Sequence, residues 1–177
     1  GGLVAYNTLK AKFKSIAVLT SDNDILSQLR LSDQVIDDFL SIDTKLVVCA
    51  GYTKLIPIKT LERKVIINTH PSLLPKYRGL HSLAWATLNL EKEVGFTVHL
   101  MNKNMDDGDI LAQMSVEVGN KNSNEIMQIF DDYVEANLGE IVASYMLGEV
   151  IPIKQDFSLA TWCCKRNLDD CIVDYDM

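Results

Sequence analysis

The spacing of apolar and polar positions changes several times along the chain, and each change marks a change of element. Leu3 to Phe13 has the composition of a short helix. The β-branched run Ser15-Ile16-Ala17-Val18-Leu19-Thr20 then reads as a strand ending in the turn-prone Ser21-Asp22-Asn23-Asp24. Val35, Ile36, Phe39 and Leu40 are spaced for one face of a helix. Lys45-Leu46-Val47-Val48-Cys49-Ala50-Gly51 is an apolar run stopped by glycine, the pattern of a strand buried in a parallel sheet, and Val65-Ile66-Ile67 is a second such run. Gly95 to Met101 alternates as a strand with two distinct faces does, and Ile110 to Val118 continues in the same manner. After Ser123, a candidate N-cap, Ile126, Ile129, Phe130, Tyr133, Val134, Leu138, Ile141, Val142 and Tyr145 recur at three-and-four spacing. They predict a long helix that packs on the sheet and ends near Gly148. Strands alternating with helices over residues 3–148 predict an α/β domain with a largely parallel sheet, and residues 149–177 read as a looser extension.

Length and composition narrow this further. A chain of 177 residues, 47% hydrophobic and 23% charged, is sized for one globular domain with a packed core. Its net charge of −7 provides no broad basic field for a phosphate backbone, which weighs against nucleic acid as a partner. No run approaches eighteen apolar residues and the start lacks a charged-then-apolar order, so a cytoplasmic protein with no membrane partner is expected. The four cysteines form no C-x-x-C pair, and Cys163 and Cys164 are adjacent, so reduced thiols are expected rather than disulfides or a zinc site. The chain opens Gly1-Gly2 without a methionine, which is not a native translation start.

The chemistry concentrates in Val65-Ile66-Ile67-Asn68-Thr69-His70-Pro71-Ser72-Leu73-Leu74-Pro75-Lys76-Tyr77-Arg78-Gly79, where a buried strand runs into Asn-x-His and a proline-bracketed loop. Ligands of open α/β sheets bind outside the carboxyl ends of strands, so this strand delivers an amide and an imidazole to the usual crevice. Pro71 and Pro75 limit how far either can drift. The segment resembles the signature of the folate-dependent formyltransferases. The second half of that signature is present in Gly95-Phe96-Thr97-Val98-His99 and in Met105-Asp106-Asp107-Gly108-Asp109-Ile110-Leu111-Ala112-Gln113. The resemblance is carried by residues 45–148. It implies a three-layer Rossmann-like formyltransferase fold with a mostly parallel sheet flanked by helices, and 10-formyltetrahydrofolate as cosubstrate without a metal. It also implies Asn68, His70 and Asp106 as catalytic residues.

Those residue types suit the reaction. Formyl transfer to an amine passes through a tetrahedral oxyanion and needs a donor for that charge and a group to manage the amine proton. Asn68 supplies an amide N–H. His70 either accepts the proton or, when protonated, helps to hold the oxyanion, and both roles stay open. Asp106, within reach, would orient His70 and raise its basicity. The resemblance places Gly51, Tyr52, Leu74, Pro75 and Asp107 as folate contacts, although Gly51-Tyr52 also reads as a strand-ending turn and Asp107 as a residue that shapes its turn. Lys76, Tyr77, Arg78 and His81 are candidate acceptor contacts, with an exposed solvated loop as the alternative for the two cations. His99 reads as a supporting residue.

Ala160-Thr161-Trp162-Cys163-Cys164-Lys165-Arg166 and the residues through Tyr175 are similar to the passage that follows the catalytic core of sugar-nucleotide formyltransferases, of the formyltransferase domain acting on aminoarabinose nucleotides and, more loosely, of methionyl-tRNA formyltransferases. Lys165 and Arg166 would suit a pyrophosphate. The resemblance therefore implies an amino-deoxysugar nucleotide as acceptor, a place in polysaccharide biosynthesis, and a homodimer. Glycinamide ribonucleotide, methionyl-tRNA and water, the last making a formyltetrahydrofolate hydrolase, are the alternative acceptors. A non-catalytic folate-binding module is disfavoured by the intact Asn68, His70 and Asp106, and a dinucleotide oxidoreductase by the lack of G-x-G-x-x-G. The expected organisation is a catalytic domain over residues 1–150 that lacks the family's first strand, followed by a truncated extension over 151–177.

Overall fold

The computed structural model describes residues 1–41, 43–52, 54–167 and 170. Helix α1 (Gly2–Lys12) carries Lys10 and Lys12 in its last turn, where they complement the helix dipole, and it buries Ala5 and Tyr6. Strand β1 (Ala17–Val18) follows. Helix α2 (Asn23–Leu26) is capped by the Asp22 carboxylate, which accepts from the N–H groups of Asp24 and Ile25, and β2 (Gln34–Val35) returns parallel to β1.

The helix expected across residues 35–40 does not form. Gln34 and Ile36 donate their N–H groups to the carbonyls of Ile16 and Val18, which draws the β-branched pair Val35-Ile36 toward the two-stranded sheet. The Asp38 carboxylate then accepts from the Leu40 N–H and closes a turn, a local alternative to helix that the apolar spacing does not reveal. Ile36 and Phe39 reach the core all the same.

Beyond lie β3 (Leu46–Ala50), α3 (Ile58–Leu61), β4 (Val65–His70), β5 (Arg78–Gly79), α4 (Ser82–Leu88), β6 (Glu93–Leu100), β7 (Ile110–Glu117), α5 (Ser123–Met146) and β8 (Trp162–Cys163). The central sheet has the order β3-β4-β6-β7. β3 and β4 are parallel, whereas β4 with β6 and β6 with β7 are antiparallel, so the α/β class stands with a mixed sheet in place of the mostly parallel one expected. Residues 101–109 are too short a link for the crossover that parallel strands need, so β7 must turn back along β6.

Period-two alternation gives β6 two different tasks. Val94, Phe96 and Val98 belong to the core under α5, where they meet Ile126, Phe130, Val134, Leu138 and Val142, one stripe of that helix. Gly95, Thr97 and His99 occupy the opposite face. The N-cap of α5 is Asn122 rather than Ser123. Its side chain accepts from the N–H groups of Asn124 and Glu125, and the Glu125 carboxylate accepts from the Asn122 N–H, which completes a capping box. Asn122→Ala should therefore lower the unfolding free energy by about 1 kcal/mol. Urea denaturation should show a lower midpoint at an unchanged slope, and an unchanged midpoint would remove the cap from the account.

β1 and β3 each pair on one side only among the described residues, and a cleft of about 1170 Å³ lies beside them, lined by Leu9, Val18, Phe39 and Val48 among others. Residues 149–167 run back over the opposite end of the sheet, where β8 pairs in parallel with β5.

Candidate active site

Asn68 and His70 sit two apart at the end of β4 and so share a face. On β6, His99 lies opposite Asn68 and Thr97 opposite His70, and cross-strand partners also share a face. The register thus gathers Asn68, His70, Thr97 and His99 on the side of the sheet away from α5. His99 is fully buried. Its Nδ1–H donates to the Leu100 carbonyl at 2.8 Å, which leaves Nε2 to accept from Asn68 Nδ2 at 3.2 Å. One N–H of the Asn68 amide is thereby fixed, and the second is left for a bound group.

His70 is 5% exposed and donates from Nε2 to the Tyr77 carbonyl at 2.8 Å. Its remaining nitrogen, Nδ1, lies 3.6 Å from Asp106 Oδ2. Asp106 Oδ1 is 3.6 Å from His99 Nε2. Both distances exceed a direct hydrogen bond, so the carboxylate acts on the imidazoles through its charge. Burial lowers the proton affinity of His70, and Asp106 and the Tyr77 carbonyl oppose this only in part, so the imidazole is neutral at neutral pH. Burial works the other way on Asp106. His99, His70 and the Gly79 N–H outweigh it and hold the carboxyl below its usual range, so it is charged. A proton arriving at His70 Nδ1 would meet this carboxylate.

Asp106 adopts a left-handed backbone, φ 49°, which costs a non-glycine residue about 1 kcal/mol or more. The turn is held from several directions. The Gly79 N–H donates to Asp106 Oδ2 at 2.8 Å, and Gly79 itself must be glycine, since a Cβ there would sit 2.3 Å from the Cys163 carbonyl oxygen. At Gly108 a Cβ would lie 1.7 Å from the Leu100 oxygen.

The loop after His70 is pinned at nearly every residue. The Thr97 hydroxyl donates to the Ser72 carbonyl at 2.6 Å and accepts from the Leu74 N–H, and Gln113 Nε2 donates to both the Leu74 carbonyl and Thr97 Oγ1. Ser72 and Ser82 hydroxyls donate to the carbonyls of Lys76 and Pro71. Thr97 and Gln113 stand opposite each other on β6 and β7, a juxtaposition that linear motifs do not show.

Several expected site residues are placed otherwise. Arg78 is 1% exposed and cannot meet an acceptor, because Nη1 pairs with Asp107 at 2.7 Å while Nε and Nη2 donate to Gln155 Oε1. The Asp107 carboxylate is taken by Arg78 and by Asn104 Nδ2, so it shapes the turn and does not face a folate. The Tyr77 hydroxyl donates to Glu91 at 2.7 Å, and the residue serves the site through its carbonyl. Gly51 and Tyr52 line the cleft beside β1 and β3, with Tyr52 edge-on to Phe39 at 5.4 Å, and none of Asn68, His70 and Asp106 borders that cleft. Leu74 and Pro75 do lie in the pinned loop beside His70. His81 Nδ1 accepts from the Arg166 N–H at 3.2 Å, which places Arg166 at the start of α4, and Lys165 and Lys76 are exposed. Leu168, Asp169 and residues 171–177 of the C-terminal passage lie outside the described residues.

Burial pushes the thiols of Cys49 and Cys163 up to about 12 and about 11, so neither is a thiolate nucleophile at neutral pH. Among the described residues no cluster of His, Cys, Asp and Glu could hold a metal, and no helix is long and apolar enough to cross a membrane.

Comparison with known proteins adds to this geometry. A family model described as formyl transferase matches residues 4–136. Methionyl-tRNA formyltransferase of Campylobacter jejuni is 31% identical over 168 residues, covering 93% of this chain and 52% of the relative. The chain spans about half the length of the curated relatives it matches. A 4-N formyltransferase from Francisella tularensis superposes with a TM-score of 0.74 at 22% identity, covering 92% of this chain and 81% of that one. PseJ of Anoxybacillus kamchatkensis, solved with UDP-4,6-dideoxy-4-formamido-L-AltNAc and tetrahydrofolate, superposes with a TM-score of 0.66 at 21% identity, covering 85% of each chain.

Proposed function

The chain belongs to the formyl transferase family, and from that premise we propose that it moves the formyl group of 10-formyltetrahydrofolate to a primary amine. The observation that carries this reading is the convergence of the Asn68 amide, a neutral His70 and a charged Asp106 on one face of the sheet.

The roles follow from the hydrogen bonds already made. The acceptor nitrogen attacks the formyl carbon, and the second Asn68 N–H stabilises the oxyanion that forms. His70 is the proton acceptor rather than a cationic oxyanion donor, because Nε2–H is committed to the Tyr77 carbonyl and burial favours the neutral ring. The proton taken at Nδ1 is stabilised by Asp106 and passed to the departing folate nitrogen as the carbon–nitrogen bond breaks. The products are a formamide and tetrahydrofolate. Leu74 and Pro75, in the pinned loop beside His70, are the folate contacts of this reading.

For the acceptor we propose an amino-deoxysugar nucleotide. The net charge of −7 favours a small anionic substrate held by a few placed cations over an extended polyanion, and Arg166 beside His81, with the exposed Lys165 and Lys76, are the candidates for them. Methionyl-tRNA is the second reading, favoured by the curated relatives at about one-third identity.

The test incubates the chain with 10-formyltetrahydrofolate and, separately, a panel of 3-amino and 4-amino deoxysugar nucleotides, methionyl-tRNA, or no amine. Tetrahydrofolate release and a gain of one formyl group on the acceptor are followed. Release that depends on an amino sugar supports the reading. Release with methionyl-tRNA alone moves the acceptor to the second reading, release of formate without amine identifies a hydrolase, and no release from folded chain overturns the proposed activity.

A further inference from the structure

The matched family segment ends at residue 136, yet the carbonyl of Asp106 is held by a residue beyond it. Gln155 Nε2 donates to the Asp106 carbonyl at 2.9 Å and to the Gly108 carbonyl at 2.7 Å, while its Oε1 accepts from Arg78 Nε at 3.2 Å and Nη2 at 2.7 Å. We propose that Gln155 is a positioning residue: its amide, clamped between the Arg78 guanidinium and the Asp106 turn, holds the Asp106 carboxylate facing His70 and His99. This rests on the formyl-transfer reading for its kinetic consequences, and on geometry alone for its effect on His70.

The turn has reason to need such a clamp. Asp106 is in a left-handed conformation that its own sequence disfavours, so surrounding bonds must over-determine it. They reach it from both ends. The Gly79 N–H holds the carboxylate, Gln155 holds the backbone, and both trace to the same place, since Gly79 follows Arg78 in β5. Arg78 is in turn fixed. Its nitrogens are taken by Asp107 and Gln155, the rings of Phe157 and Trp162 lie 5.8 and 5.7 Å from the guanidinium carbon, and its backbone N–H donates to the Thr161 carbonyl. The Thr161 hydroxyl also accepts from the Tyr77 N–H, the residue whose carbonyl orients His70. Residues 155–163 thus strap the Asp106 turn to the Tyr77–Gly79 segment whose carbonyl orients His70.

Only an amide suits position 155. It offers two donors to the carbonyls and an acceptor to the guanidinium at once. Glutamate would keep the Arg78 contact but turn lone pairs toward two carbonyl oxygens. Methionine would fill the volume and satisfy neither side.

The experiment compares Gln155→Met and Gln155→Glu with the unaltered chain. Steady-state kinetics are measured where the unaltered chain transfers formyl, and the titration of His70 is followed by NMR without substrate. The groups that face His70 are the Asp106 carboxylate, the His99 imidazole and the Tyr77 carbonyl, with the Cys163 thiol beside that carbonyl. Asp106 raises the proton affinity of His70, so releasing the turn in Gln155→Met moves the His70 midpoint to lower pH. Both variants should lose about 10- to 100-fold in kcat with KM values within about twofold of the original. Recovery of full kcat in Gln155→Glu would show that pairing Arg78 is all that matters and overturns the proposal. So would an unmoved His70 midpoint in a folded Gln155→Met chain, or loss of cooperative unfolding in both variants, which would make the role purely structural. If the unaltered chain shows no turnover, the formyl-transfer reading fails and the His70 midpoint still decides the positioning.

Discussion

Replacement of His70 by asparagine should lower kcat/KM for formyl transfer by about 10²- to 10⁴-fold, the usual contribution of a positioned general base. The substitution removes the imidazole that burial keeps neutral at neutral pH and whose uncommitted Nδ1 faces the Asp106 carboxylate. The pH profile of the unaltered chain carries the same argument. A base acts in its deprotonated form, so activity is lost as pH falls through its pKa. Burial depresses that pKa below the ordinary value of 6.5, with Asp106 and the Tyr77 carbonyl opposing it in part, and the acid limb of kcat/KM should therefore lie below 6.5. An acid limb above 6.5, or a His70→Asn chain within a few-fold of the original, would assign the proton to another group.

Asn68→Ala should lower kcat by about 10²- to 10³-fold, as loss of one oxyanion donor does. KM for both substrates should change little, because the lost hydrogen bond strengthens only as charge develops on the formyl oxygen. The His99 contact makes this more than loss of a side chain. His99 Nδ1–H is fixed on the Leu100 carbonyl, so Nε2 presents a lone pair that orients the Asn68 amide. Asn68→Asp would turn a carboxylate toward that lone pair and toward Asp106, so it should be no better than alanine despite its similar shape. Single-turnover measurement at saturating folate separates this from a binding defect. A raised KM with unchanged kcat would make Asn68 a binding residue.

Much of the architecture follows from local pattern. The continuous apolar run at Leu46–Ala50, the alternation of Val94, Phe96 and Val98, and the stripe Ile126, Phe130, Val134, Leu138 and Val142 are period-two and period-three-and-four signals long enough to override turn chemistry. Short elements are not legible in this way. Residues 35–40 carry a helical spacing, yet the backbone bonds of Gln34 and Ile36 to Ile16 and Val18, with one Asp38 side chain, decide them. The mixed pairing of the sheet was equally hidden, because an apolar run is the same whichever way its neighbour points.

The site divides along the same line. Asn68-x-His70 and the Asp106 turn are recognisable because they are contiguous, chemically distinctive residues at strand ends. The role of Arg78 is hidden for the same reason. Beside a motif, an arginine looks like an anion contact, and only the tertiary structure shows that burial forces every one of its nitrogens onto Asp107 and Gln155. Thr97 and Gln113 act through cross-strand register, and Gln155 acts through a segment that returns from beyond α5. Which residues can do proton and oxyanion chemistry is legible along the chain, because that is a property of side-chain type and short spacing. The tertiary structure decided which of them are free to do it, because a buried donor must find a partner and the partner here lies far along the chain.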